Sequence, residues 1–268
     1  MARVELSPSR LRARKRRRRV RIGLFFGVLL LLLFGALVGV SYIPALQVRE
    51  VVVSGTKTLA SSTVQAFVQE RLLGSYGYIL PKSNIFLYPK QGISMQLLKA
   101  YPVLASADVH AGDFHTVVAN VVERSPRALW CENKEQCFFI DENGVVYGAA
   151  PTFSEPVYYR YFGTTTGSVL PKQYLTAEQF QALMALCDAL VPKVPNTTIE
   201  SVEVDANGDV QVQFTNNFVL RFALADAGGD IFERFSLALT SEPMKSHQLS
   251  ELEYLDLRFG DKLYYKLR

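Results

Sequence analysis

With 268 residues, 49% of them hydrophobic and 20% charged, the chain can build one or two globular domains with real cores, which excludes a disordered chain. Its formal charge of +4 hides a division: Arg3 and the nine basic residues of "RLRARKRRRRVR" (10–21) face one acid, Glu5, whereas beyond residue 43 there are 19 basic and 24 acidic residues, a formal −5. A basic tail is joined to an acidic body.

Between the two lies "IGLFFGVLLLLLFGALVGVSYI", residues 22–43, without a charge. As a helix rising about 1.5 Å per residue it spans roughly 33 Å, enough to cross a hydrocarbon core of about 30 Å. A cleaved signal peptide has a shorter apolar region and a small-residue cleavage site, and "SYIPAL" is a poor Ala-x-Ala site, so the run reads as an uncleaved signal anchor. The Arg block then places residues 1–21 in the cytoplasm and the body outside. The block could also bind nucleic acid, but it abuts the span and has no interleaved aromatics, so topology and attraction to anionic headgroups are its simplest roles. The Gly23-x3-Gly27 and Gly35-x3-Gly39 spacings permit close helix contact and are common in membrane spans.

Beyond the span, "VREVVVSG" (48–55) reads as a strand stopped by glycine. Ser62 followed by Gln65 is a capping-box signature for a helix with the stripe Val64, Phe67, Val68 and Leu72, closed by Gly74 and Gly77. A second helix carries Ile93, Leu97, Leu98 and Tyr101 and stops at Pro102. Two strands follow, joined by a turn at 111–114 where Gly112 and Asp113 supply the turn chemistry. The order β-α-α-β-β over 46–125 makes one small α/β domain.

Residues 126–268 read as a strand-rich domain with one or two helices on a face, an antiparallel-sheet α+β architecture. Cys131 and Cys137 flank the polar stretch of "CENKEQC" in a hairpin, which favours a disulfide in an oxidising compartment; metal binding is the rival, with no His or third Cys close in sequence. A hairpin turns at Asn143-Gly144. A helix opens at Thr176 with Gln179 completing a capping box and Phe180, Leu183, Met184, Cys187 and Leu190 inside, Cys187 reading as a buried thiol. Three strands are punctuated by Asn207-Gly208 and Asn216-Asn217, and a short helix near 230–240 precedes the terminal strands.

The sequence carries almost no motif of catalytic or metal chemistry. His110 and His115 flank the 111–114 turn and His247 stands apart; no metalloprotease helix, nucleophile elbow, Walker loop or Ser-x-x-Lys occurs. Carboxylates cluster in turns such as "DENG" and "DANGD", where backbone geometry asks for them. The "NTT" at 196 is a formal glycosylation sequon, idle in a bacterium. No cofactor, metal site or enzymatic activity is expected.

The Arg-rich tail, single span, β-α-α-β-β module, "VVERSPRALW", "FIDENGVVY" and final "YLDLRFGDKLYYKL" together resemble the bacterial FtsQ/DivIB division proteins over nearly the whole chain. The resemblance implies a POTRA domain at 46–125. It also implies an interdomain Glu-Arg-x-Pro-x-Ala motif matched by Glu123, Arg124, Pro126 and Ala128, an Asp-x-x-Gly turn at Asp141 and Gly144, and an Asp-Leu-Arg-aromatic strand at Asp256, Leu257, Arg258 and Phe259. The Cys131–Cys137 insertion departs from typical members. The implied role is a non-enzymatic divisome scaffold in the cell membrane at the septum. Its partners would be the single-pass FtsB/DivIC-like and FtsL-like proteins, with FtsK and the septal synthase complex beyond them, and no nucleic acid. The rival readings are a POTRA-bearing adaptor of secretion or transport and a membrane-anchored wall enzyme. Arg124 and Pro126 would either set the interdomain geometry or form a recruitment surface.

The ending, "LEYLDLRFGDKLYYKLR" (252–268), alternates apolar and polar residues from Leu255, the mark of half-buried strands. A single strand would run about 57 Å at roughly 3.4 Å per residue, so a turn must break it at Gly260-Asp261. Side-chain parity favours a three-residue turn, Gly260 to Lys262, pairing Phe259 with Leu263, Leu257 with Tyr265 and Leu255 with Leu267. The final strand, 263–268, would then lie at a sheet edge open to a partner strand, with Arg258, Phe259, Lys262, Leu263, Tyr264, Tyr265 and Lys266 as candidate contacts and Lys262, Lys266 and Arg268 suited to an acidic partner. The alternative is that the hairpin only completes the fold.

Overall fold

The structure, a computed structural model, describes residues 8–194, 196–242, 249–260 and 262–268. It divides into two compact units, one up to Leu97 together with Ser106–Val122, the other Leu98–Ala105 with Glu123–Arg268.

The first unit begins with α1 (Pro8–Ser41), so the Arg block and the apolar run form one continuous helix. From Lys15 to Ser41 it is long and apolar enough to cross a membrane. Strand β1 (Glu50–Ser54), helix α2 (Ser61–Leu72), the short hairpin β2 (Ser75–Tyr76) and β3 (Leu80–Pro81), helix α3 (Lys90–Ala100) and the hairpin β4 (Leu104–Ala111) and β5 (Thr116–Glu123) follow. The sheet order is β1-β5-β4, with β1 parallel to β5. Val64, Val68 and Leu72 of α2 and Ile93 and Leu97 of α3 are buried, as their spacing demands. The capping box at Ser62 and Gln65 does not form. The helix starts two residues earlier, with Ala60 as N-cap and the Thr63 amide bonded to the Ala60 carbonyl, which leaves Ser62 inside the first turn. At the β4–β5 turn the Asp113 carboxylate accepts from the His115 and Thr116 amides. These backbone donors hold its pKa below the ordinary value.

The second unit holds one ten-stranded sheet. Its strands are β6 (Ala128–Cys131), β7 (Cys137–Ile140), β8 (Val145–Ala149), β9 (Arg160–Gly163), β10 (Lys172–Gln173), β11 (Ile199–Val204), β12 (Asp209–Phe214), β13 (Val219–Ala223), β14 (Leu252–Phe259) and β15 (Lys262–Leu267). Their order is β10-β8-β7-β6-β9-β11-β12-β13-β14-β15. Antiparallel hairpins predominate, but β6–β9, β9–β11 and β13–β14 are parallel, a mixed sheet where the turn signals predict an antiparallel one. Helices α4 (Ala177–Leu190) and α5 (Ile231–Thr240) cover one face, and Phe180, Leu183, Cys187, Ile231 and Phe235 enter a single core with the inward residues of the strands. The Thr176–Gln179 capping box opens α4. Burial pushes the Cys187 thiol up to about 12, which leaves it protonated and inert.

Cys131 and Cys137 stand opposite each other in the β6–β7 pair and are joined by a disulfide. The loop it closes is short, so by loop entropy the bond contributes about 2 kcal/mol. Replacing both cysteines by serine should lower stability by that amount, and a native peptide map should show no free thiol at either position; two free thiols would refute the bridge.

The candidate functional site at the terminal strand

Both sheet edges belong to this unit, and they differ. Strand β10 has two residues, a short edge that resists strand addition, whereas β15 has six. Beyond β15 no further strand pairs among the described residues. Its burial is light: Leu263 is half-buried against the core, while Tyr264, Tyr265 and Leu267 are 49%, 38% and 38% exposed.

The hairpin corrects the three-residue turn predicted from parity. Phe259 pairs with Lys262, so the loop is Gly260-Asp261, and Asp261 itself lies outside the described residues. The register then shifts between Asp256 and Phe259, so that Asp256 faces Tyr264 and Leu255 faces Tyr265. Parity is kept, but a β-bulge in β14 keeps it, where a longer turn was predicted.

The bulge has its own side-chain support. The Asp256 carboxylate, buried, accepts the Arg258 amide at 3.1 Å and the Arg258 guanidinium at 3.0 Å from Nε and 2.6 Å from Nη2. A third guanidinium bond reaches Asp209 at the start of β12. Burial alone would raise the Asp256 pKa, but the bonds and charge of Arg258 outweigh it and hold the carboxyl below its ordinary value. The same two aspartates raise the already high pKa of Arg258 further. From α5, Arg234 donates to the Leu257 carbonyl at 2.7 Å and to the Gly260 carbonyl, occupying acceptors that the bulge and turn take out of the ladder. Sequence reasoning misses Arg234; its signal is an arginine one turn from Ile231, beside the buried stripe Ile231, Phe235 and Ala238 of an amphipathic helix.

This scaffold holds Phe259 at the turn, 53% exposed, with its ring 5.2 Å from that of Tyr264 in an edge-to-face pair and the Arg258 guanidinium 5.5 Å from its centroid. Arg258 therefore supports the corner from within. Lys266 is salt-bridged to Glu253 at 2.6 Å, which raises its pKa, and Arg268 donates to the Asn216 carbonyl. An acidic partner would have to compete for the Lys266 charge.

The other predicted residues lie elsewhere. The Arg124 amide donates to the Val103 carbonyl and its Nε to the Pro102 carbonyl, while its guanidinium pairs with Asp141. Both side chains are largely buried, at 13% and 5% exposure. Asp141 also accepts the Asn143 and Val145 amides and so builds the turn at Gly144, where φ is +74° and a Cβ would meet the Leu175 carbonyl oxygen at 2.7 Å. The two motifs flanking the β6–β7 hairpin are thus joined by an ion pair. Glu123 is buried and Pro126 half-buried in the segment leading to β6. His110 sits exposed beside Asp108, His115 is half-buried, and His247 lies outside the described residues.

The described residues thus combine an N-terminal helix long and apolar enough to cross a membrane with an α+β domain built on a mixed sheet that has one long exposed edge. Residues 128–258, from the start of β6 to the arginine of the bulge, match the family model described as "Cell division protein FtsQ/DivIB, C-terminal". The chain belongs to the FtsQ/DivIB family of cell division proteins. No curated protein matches it.

Proposed function

We propose that the protein is a non-enzymatic scaffold of the division machinery that captures an FtsB/DivIC-like single-pass protein by strand addition to β15. The exposed edge of β15, long where the opposite edge is short, carries this reading. An added strand would satisfy the outer backbone groups of 262–267, and Phe259 and Tyr264 would supply the aromatic anchor. FtsL would join through the same partner, and the assembly would lead on to FtsK and the septal synthases. The module before Glu123 would serve as a POTRA domain that positions the sheet domain. A photo-crosslinker at Tyr265 in dividing cells should trap one small division protein, identified by mass spectrometry. Trapping at Asn207 and not at Tyr265 would move the interface away from β15.

In the orientation proposed, α1 leaves the Arg block in the cytoplasm and the sheet domain outside, at the division septum. In intact cells an impermeant maleimide should label Thr198→Cys and spare Arg17→Cys. The reverse pattern would overturn the orientation.

A further inference from the structure

We propose that the β2–β3 hairpin of residues 73–82 is a second membrane contact, with its apolar tip in the headgroup region of the bilayer that α1 crosses. The inference rests on reading α1 as a membrane span. The hairpin presents what a folded domain in water normally hides: Leu73 is 72% exposed, Ile79 46% and Tyr78 98%. The turn is built around this display. Gly77 and Tyr78 both take positive φ, +53° and +63°, and the Ile79 amide closes the turn on the Tyr76 carbonyl. Glycine adopts that backbone freely, and a bulky aromatic does so rarely. A tyrosine kept in this conformation with its ring fully outside suits a ring that meets another phase.

The position of the hairpin names that phase. From Lys15 to Ser41 every residue of α1 is exposed except Val38 and Ser41, and β3 lies against α1. The Ser41 carbonyl, one of the helix's terminal acceptors, is taken by the buried Asn84 side chain at 2.9 Å and by Gln47 at 2.8 Å. Residues 46–48 are stitched to 83–85 through the Ile85 amide to the Leu46 carbonyl and the Val48 amide to the Ser83 carbonyl. The hairpin base is therefore fixed at the last turn of α1, and Val38 lies only about 4.5 Å deeper along the helix. Tyr42 and Ile43, both exposed, mark the same level. Aromatic rings concentrate where hydrocarbon meets headgroups, and lysines reach from there to lipid phosphates. Lys82, with Nζ 5.7 Å from the Tyr76 ring, stands ready for that contact. The partner is a phospholipid surface, and the contact would limit tilting of the first unit on its anchor.

The test uses the full chain in lipid nanodiscs with a bimane label on one added cysteine, since Cys131 and Cys137 are bridged and Cys187 is buried. Bimane at Ile79→Cys should lose emission when lipids carry a quencher near the headgroup, and keep it when the quencher is deep in the chain. Bimane at Leu31→Cys should show the opposite, and at Asn207→Cys neither. Deep quenching at 31 with none at 79 would overturn the hairpin contact while leaving the span intact. Absence of quenching at 31 would remove the span and the inference with it. Shielding of the 79 label only after a division protein is added would assign the hairpin to a protein partner and overturn the lipid assignment.

Discussion

Tyr264→Pro should reduce capture of the FtsB-like partner on the order of 100-fold, the equivalent of about 3 kcal/mol. Proline removes the amide at the centre of β15 and fixes φ away from the extended value, so the strand loses either a ladder bond to β14 or a donor to the incoming strand. The remaining fold has little reason to fail. Strand β14 stays paired with β13 through Val219–Tyr254, Leu220–Leu255 and Arg221–Asp256, and the core residues Leu252, Leu255 and Leu257 lie on β14 itself. Tyr264→Thr separates the two contributions of the site. It keeps a strand-forming residue and an amide but removes the ring that packs on Phe259, and should cost about tenfold. Titration of the purified full-length chain with the partner, beside thermal unfolding followed by the single tryptophan, Trp130, reads binding and folding together. A folded Tyr264→Pro chain that binds at the native strength would place the interface elsewhere.

What could be read from the sequence follows the range of the forces involved. Alternation along 209–223, the glycines at 144 and 208 and the Thr176–Gln179 pair each act within a few residues, and the elements they predict stand where expected. The family resemblance was equally legible, and the match over 128–258 includes Asp141, Gly144, Asp256, Leu257 and Arg258 of its motifs. Strand β9 was not. Arg160–Gly163 has four residues and no turn of its own, and it is a strand because β6 and β11 lie parallel on either side of it. The bulge at 256–259 escaped for a similar reason. Parity required an extra residue somewhere in the hairpin, but its place is set by Asp209 on β12 and Arg234 on α5, both remote in sequence. Likewise "ERSP" and "DENG" each read as a local motif, and only the fold shows Arg124 paired with Asp141.

Removing the bulge's arginine should produce an instability that depends on pH in an unusual direction. In the native chain the Asp256 carboxyl is held below its unfolded value of about 3.9, so its contribution to stability is complete above that pH and is lost as the pH falls through the lower folded value. In Arg258→Ala the burial of Asp256 and the bond from the residue-258 amide remain, but the guanidinium's hydrogen bonds and counter-charge are gone; burial, the largest influence on this carboxyl, then outweighs the amide and the Arg221 charge, so it should move above its ordinary value. Stranding a fully buried charge costs about 3–5 kcal/mol; because the Arg258 side chain is 29% exposed and water can enter its place, about 2–3 kcal/mol is expected at pH 7. That deficit should shrink toward pH 4.5, where the variant's aspartate takes up a proton and sheds the charge, while the native chain is little changed. Urea unfolding at the two pH values, read through Trp130, checks the sign. An equal deficit at both would mean that the lost packing of the arginine, not the stranded carboxylate, carries the cost. The same variant bears on the interface, because the bulge sets which of Tyr264 and Tyr265 faces outward. Without it a one-residue slip would exchange the two faces of β15, so Arg258→Ala should weaken partner capture even at pH 4.5, where its stability is largely restored.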